Sequence, residues 1–495
     1  MQYFIGADAG TTNMKALLFS EDGNVSAQAK HSSPIQLLED GGGIIDPDAM
    51  WNVISSLIAS VVEQHQQNGN SRSSIAGIAI TGMGEAGVPL DESGRSLYPI
   101  IAWFDPRTEK YLSWWRDTFD ESEMQRITNL KNQHIFTVNK MLWLKENQPE
   151  QFAKTKRWHC VPDYIAFKLS GASAMDYSIA TRTMMFDVEK KDWSETILNH
   201  AGIAKAIMPK PVPSGTKIGT VSEEAEKICG LKAGTPVFAG GHDHICGALA
   251  AGVIAPGTVL DSSGTCEEVL VATSSLTIAR ELGKVGFNAG YHVVGDSYYI
   301  SGGIPASGAS VDWYRREFSE PFGEVHQSTA GANGLLFLPH LRGSSSPERD
   351  KVSKGAFIGV QARHNWADFM QAVYEGVAFE LRLSVEQLSE ESSLQRIVSI
   401  GGGTMNEQWL QIKSDVLGRE IEVPAVQECT AFGAAILAGI GAGVYTDVND
   451  ALKQTYRIGK TIKPNMKTTA VYHKMFNTYR QLYLTLHKVN QALDT

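Results

Sequence analysis

Cysteine is scarce in this chain of 495 residues: there are five, with no C-x-x-C pair among Cys160, Cys229, Cys246, Cys266 and Cys429. Such scattering suggests neither a disulfide framework nor a zinc site. Long apolar runs are missing too; none approaches the ~18 residues of a membrane span. The opening stretch, MQYFIGADAG, has no basic region of the kind that begins a signal peptide. Basic residues are outnumbered, 44 against 54, for a net charge of -10, which argues against an electrostatic nucleic-acid binder. A soluble protein of the reducing cytoplasm is expected, with neither nucleic acid nor membrane as partner. Apolar residues are plentiful, at 43%, and the length exceeds what one core normally serves, so two domains are expected.

The stretch around which the chain is organised is FAGGHDHICGALA, Phe238 to Ala250. A short apolar strand ends in two glycines, delivers Asp243 between two histidines, and runs into a helix of small residues. An Asp at the first turn of such a helix suits a general base reaching for a substrate hydroxyl. It suits an N-cap equally well, and these residues alone leave both readings open.

Two other stretches echo one another. Tyr3 to Asp8 reads as a buried strand broken by Gly10-Thr11-Thr12, after which Lys15 to Phe19 resumes an apolar strand. Small residues and hydroxyls at such a turn leave backbone N–H groups free for phosphate oxygens, and Asp8 at the strand end suits a metal held through water. Gly257 to Glu268, GTVLDSSGTCEE, repeats the design with Asp261 and then Ser263-Gly264-Thr265. One such turn is an ordinary hairpin as readily as a phosphate site. Two, one in each half, predict a duplicated fold that grips phosphates from both sides, with the boundary soon after Asp243 (domains 1–245 and 246–495).

Between the echoes, Asp46-Pro47 predicts a helix start with Trp51, Ile54, Ile58, Val61 and Val62 inward. Ile75 to Thr81 predicts a strand leading to Glu85 in a glycine-rich connection. Trp103, Asp105 and Arg107 cluster as a polyol site would, or as a core Trp beside a surface ion pair. Lys140 to Asn147 predicts a helix with Met141, Trp143 and Leu144 inward. The residues from Val161 to Thr183 read as periphery of the first domain, and Pro209 to Ser214 as a loop. Ser301 to Trp313 is a small-residue turn entering a helix. Asn365 to Asp368 predicts a capping box opening a long helix with Phe369, Val373, Val377, Leu381 and Val385 on one face. Ile397 to Gly403 ends in three glycines, a flat platform suited to an adenine or ribose or a plain tight turn. Thr430 to Gly443 is a small-residue helix, and the tail a single striped helix through Met475, Tyr479, Leu482 and Leu486.

In this order, the pieces resemble the FGGY carbohydrate kinases of the actin-like ATPase superfamily over nearly the whole chain. KGAFIGVQARHNWADFMQAVYEG, Lys354 to Gly376, is similar to the family's C-terminal signature; FTVNKMLWLKEN resembles the N-terminal one through Thr137, Lys140 and Trp143, with Ile135 departing from it. The resemblance implies an α/β fold of two ribonuclease-H-like domains, with mixed sheets flanked by helices and an ATP cleft between them. It implies ATP and Mg²⁺ as cofactors and a sugar or polyol as substrate, with homodimerisation open. By it, Asp8 acts on Mg²⁺; Gly10, Thr11, Thr12 and Lys15 form the first nucleotide set; Gly264, Thr265, Gly308 and Asp312 the second; and Gly402, Gly403 and Asn406 the adenosine motif. Asp243 matches the catalytic base.

The substrate pocket departs from the best-known members. Glu85 and Trp103 resemble residues that glycerol kinases use, but Gly84 stands where those carry arginine and Ile135 where they carry tyrosine. Nor is there the Met-His pair typical of xylulokinases, since Met83-Gly84-Glu85 occupies that stretch. The expected substrate is a hydroxyl-rich ketose of pentulose type met by Glu85, Trp103, Asp105, Asp243, His244 and Glu268, although Glu268 reads equally as a strand residue facing solvent. The alternatives are a polyol kinase, a heat-shock or actin-like ATPase, and a catalytically dead sugar sensor.

Overall fold

The computed structural model describes residues 1–318, 328–388 and 394–493. Strands β1 (Tyr3–Ala9), β2 (Asn13–Ser20), β3 (Val25–Ser32), β4 (Ile75–Gly82), β5 (Lys217–Thr220) and β6 (Pro236–His242) form one sheet in the order β5-β6-β4-β1-β2-β3. Strands β7 (Thr258–Ser263), β8 (Glu267–Thr273), β9 (Asn288–Tyr291), β10 (Tyr298–Ile304), β11 (Arg396–Ile400), β12 (Ile421–Pro424) and β13 (Ile458–Ile462) form a second, in the order β9-β10-β8-β7-β11-β12-β13.

The pairing repeats. In the first sheet β1-β2-β3 is an antiparallel meander, β1, β4 and β6 run parallel, and β5 closes the edge antiparallel. In the second, β7, β8 and β10 are the meander, β7, β11 and β12 are parallel, and β13 is the antiparallel edge. Only β9 is extra, so the duplication read from the two Gly-Thr turns is a duplication of whole sheets. Mixed sheets flanked by helices are the α/β architecture expected.

The helices that cover them are α1 (Pro47–Gln67), α2 (Asp243–Ala250), α3 (Gly308–Glu317), α4 (Trp366–Leu388), α5 (Glu407–Leu417) and α6 (Cys429–Gly441). Asp46 caps α1 through bonds from the N–H groups of Asp48 and Ala49, and the predicted stripe on α1 is buried. Asn365 and Asp368 exchange bonds at the start of α4, as in a capping box. Of its stripe only Phe369 is partly exposed, and α4 is buried on nearly all sides from Ala367 to Leu381.

Helix α6 belongs to the second half of the sequence yet packs on β1, β4 and β6 of the first sheet and against α2. The contact is backbone to backbone: a Cβ at Gly6 would fall 1.8 Å from the carbonyl oxygen of Ala431, and one at Gly433 1.9 Å from that of Cys246. Small residues are required there because two main chains touch.

Four local expectations need correction. Trp143 is half-buried and lies under the Arg107 guanidinium, 4.9 Å from its ring centre; Lys140 and Leu142 are the neighbours that turn inward beside Met141 and Leu144. The residues after Val161 are not peripheral, because the helix Val161–Ser170 packs on β4 and β6. The proline-dense loop contains a short strand, Lys210–Val212. The tail forms two helices, Met466–Tyr479 and Leu482–Leu493. No helix among the described residues is long and apolar enough to cross a membrane.

Candidate active site

Register explains how residues far apart in sequence meet. In the first sheet Ala9 pairs with Gly82 and Gly82 with His242, so β1, β4 and β6 end at one edge. Gly10 to Thr12, Met83 to Glu85 and Asp243 therefore emerge side by side. In the second sheet Ser262 pairs with Ile400, which brings Ser263 to Thr265 beside Gly401 to Gly403. Ligands of open α/β sheets lie at such carboxyl ends of parallel strands.

Between the two edges is a cavity of about 420 Å³. The first lobe contributes Thr11, Glu85, Trp103, Arg182, Asp243 and His244; the second contributes Glu267, Glu268, Tyr299 and Arg349 among others. Glu268 lines the cavity instead of facing open solvent.

Asp243 is the first residue of α2, and its N-cap is His242. The carboxylate bonds the N–H of His244 at 2.7 Å, while its side chain stays 22% exposed. Nδ1 of His242 lies 3.1 Å from Oδ1 of Asp243, yet without hydrogen-bond alignment, and it has no hydrogen-bond partner among the described residues. Burial drives the pKa of His242 down to about 3, so it is a neutral wall. Burial also opposes charge on His244, but Asp243, Glu268 and Glu85 outweigh it and raise that pKa. His244 Nε2 lies 3.9 Å from the carboxylate, and among the described residues no Lys or Arg pairs with it, so the carboxylate faces the cavity available to a ligand.

Asp8 is buried at the same edge. Its Oδ2 accepts from the Thr430 hydroxyl at 2.8 Å, and its Oδ1 has no hydrogen-bond partner among the described residues. Burial and then the nearby charge of Asp243 push its pKa up to about 7. Lys15 forms an ion pair with Glu428. Thr11 Oγ1 accepts from the Trp103 indole at 3.1 Å, and Thr12 is exposed in the turn.

The second turn is sealed by α3: the N–H groups of Gly308 and Ala309 bond the carbonyls of Gly264 and Thr265, each at 3.0 Å. Asp312 is exposed further along that helix. Gly402 has open space where a side chain would be. Asn406 caps α5 and donates to the Tyr374 hydroxyl at 3.1 Å.

Asp105 does not belong to the cavity wall. It is fully buried, and its oxygens accept from Gly43 N at 2.9 Å and from Arg107 Nε and Nη2 at 2.7 and 2.9 Å. Its acceptors serve the fold, leaving none for a sugar.

Three buried cations have roles the sequence did not show, although Lys140 falls in the stretch resembling the N-terminal signature. Arg182 pairs with Glu85. Lys140 is 1% exposed and ties the carbonyls of Ile135 and Trp103, at 2.5 and 3.4 Å, behind the cavity wall; burial lowers its pKa to about 8. Lys413 meets Asp261, Glu267 and Ser263 at 3.0, 2.8 and 3.0 Å. For Lys413 a signal existed in its spacing, a charge set between Trp409, Ile412 and Val416 on a face otherwise apolar; Arg182 had none.

Gly84 also has a physical explanation. A Cβ there would lie 2.5 Å from Cδ2 of His242, so any larger residue must displace that ring, and the cation beside Glu85 comes from Arg182 instead.

Paired lobes of this topology with a cavity between them define the actin-like ATPase fold. The family model described as FGGY family of carbohydrate kinases, N-terminal domain, matches residues 3–250, and the corresponding C-terminal domain matches residues 261–442. The chain belongs to the FGGY family of carbohydrate kinases and is a sugar kinase, transferring phosphate to an alcohol group. It is 32% identical over 502 residues to the xylulose kinase of Bacillus subtilis, covering 100% of this chain and 99% of that one. It is 28% identical over 499 residues to an L-xylulose/3-keto-L-gulonate kinase of Escherichia coli, covering 98% and 97%. The crystal structure of xylulose kinase from Rhodospirillum rubrum superposes with a TM-score of 0.89 at 27% identity, over 99% of this chain and 100% of that one.

Proposed function

We propose that this protein transfers the γ-phosphoryl group of ATP to a primary hydroxyl of a small ketose of the ketopentose class, with Asp243 as general base. The observation that carries the reading is the position of Asp243: partly exposed, with no Lys or Arg paired to it among the described residues, in a cavity walled by both lobes. The names of the relatives support a pentulose as substrate.

In this reading the sugar hydroxyl lies against Asp243, which accepts its proton as the oxygen attacks phosphorus in line. His242, held neutral, keeps a competing cation from its side. His244, Glu268 and Trp103 orient the sugar. The N–H groups of the turns at Gly10 to Thr12 and Gly264 to Thr265 hold the phosphates, and Gly402, Gly403 and Asn406 form the nucleotide platform. Lys15, Gly308 and Asp312 shape the ends of these turns, and closure of the lobes excludes water.

Asp8 fits a Mg²⁺ site. It has one buried oxygen without a partner and a second carboxylate nearby, and Mg²⁺ takes few carboxylates with several waters. When bound, the ion would offset negative charge on the phosphates. The five cysteines, all free thiols, suit the reducing cytoplasm.

The test is ketose-dependent ADP release by wild type and by Asp243→Asn. The variant should fold and bind ATP while losing ~10²–10⁴-fold in turnover, as loss of a positioned base does. Unchanged turnover in the variant would refute the assignment.

A further inference from the structure

The geometry points to Arg182 and Glu85 as a paired reader of the sugar's carbonyl end, Arg182 donating to the ketone oxygen and Glu85 accepting from the adjacent hydroxyl. The inference rests on the sugar-kinase reading of the same cavity and narrows its substrate to one presenting neighbouring carbonyl and hydroxyl groups, a ketose and not the corresponding polyol.

Both side chains line the cavity and both are nearly buried, at 6% and 4% exposure. Arg182 follows a short helix, Tyr177–Thr181, and reaches 97 residues back along the chain to Glu85. Its guanidinium stands over the Phe136 ring, 5.1 Å from the centre, with Tyr299 of the second lobe beside it. Ring and ion pair fix the plane of the guanidinium.

The ion pair is one-sided. Nε of Arg182 bonds Oε1 of Glu85 at 2.5 Å, and Nη2 approaches the same oxygen. Among the described residues no donor engages Oε2 of Glu85. Taking such a pair out of water can cost as much as the pair returns in stability, so burial of this pair is not explained by stability alone. Glu85 also holds a left-handed backbone, φ 63°, pinned by the Thr137 hydroxyl on its carbonyl at 2.9 Å. Strain of this kind in a non-glycine residue persists where the surroundings impose it, and it collects at binding sites.

The chemistry follows from proton inventory. A guanidinium only donates, and an ionised carboxylate only accepts. A carbonyl oxygen answers the guanidinium with no proton left to place, and the neighbouring hydroxyl gives its single proton to Oε2. A polyol offers hydroxyls at both positions, and the one facing Arg182 has a proton that must find another acceptor in a nearly closed site.

The test is calorimetric binding, without nucleotide, of a 2-ketopentose and of the pentitol made by reducing it, to wild type, Arg182→Lys and Glu85→Gln. Wild type should prefer the ketose by ~10-fold, the worth of one hydrogen bond to a charged group. Each variant should lose that preference while keeping its ATP affinity; Glu85→Gln should also melt lower, since it leaves a buried guanidinium without its partner, whereas Arg182→Lys keeps the charge. Equal affinity of wild type for the two compounds, binding of neither, or a preference that survives in both variants would overturn the proposal. No phosphoryl transfer enters this measurement, so its failure is separate from failure of the kinase reading, which ketose-dependent ADP release decides.

Discussion

Thr430 donates its hydroxyl to Asp8 across 422 residues of chain, at 2.8 Å. The bond joins α6, from the second half of the sequence, to the end of β1 in the first. It satisfies one oxygen of Asp8 and leaves the other without a partner. The pKa of Asp8, up at about 7, follows from burial and from the charge of Asp243 nearby.

A pH dependence follows. With its folded pKa above the unfolded value, Asp8 holds a proton in the native state that the unfolded chain releases, so between pH ~4 and 7 its contribution to stability falls as pH rises. A cation that binds the ionised form should reverse this. Stabilisation by Mg²⁺, followed as a melting-temperature increment, should grow from pH 6 to 8 in wild type and vanish in Asp8→Asn. An increment that is flat with pH in wild type would remove Asp8 from the metal site.

Lys413 meets two buried carboxylates, Asp261 at 0% and Glu267 at 1% exposure. Lys413→Met should leave them uncompensated and cost about 3–5 kcal/mol, read by urea denaturation. Adding Asp261→Asn to that variant should recover part of the loss. A single variant as stable as wild type would show that the pair is neutralised by protonation instead, a route Glu267 has open with its pKa raised to about 7 by burial and Asp261.

Gly84→Ala should act on chemistry before stability. Its Cβ would press on the His242 ring, and that ring adjoins Asp243. Misplacing a reacting group by ~1 Å costs on the order of 10²-fold. Sugar turnover should fall by that order while ATP affinity holds, as steady-state kinetics with each substrate varied would show. Normal sugar kinetics would mean that His242 has room to move.

Much of the frame was legible because its signals are local. Asp46-Pro47 and Asn365 to Asp368 carry helix starts in adjacent residues, and the two Gly-Thr turns announce themselves by composition. What escaped depends on contacts between distant segments. Arg182 sits in a plain run, IATRTMMF, whose meaning comes only from Glu85. Asp105 and Trp103 look alike in AWFDPRT, yet one serves Gly43 and Arg107 while the other faces the cavity. Trp143 has the spacing of a core residue, but Arg107 offers its ring a partner at the surface. Periodicity says which face of an element is apolar and never what it meets.

The docking of α6 on the first sheet bears on how the molecule is made. A ribosome that has released residues 1–250 has produced β1, β4 and β6 but not the helix that shields one of their faces, including the bare main chain at Gly6. For nearly two hundred further residues that surface stays open to water, to chaperones and to other nascent chains. The first lobe is thus complete in strands long before it is complete in packing, and a protein truncated at its midpoint would be left with an uncovered β-sheet prone to self-association.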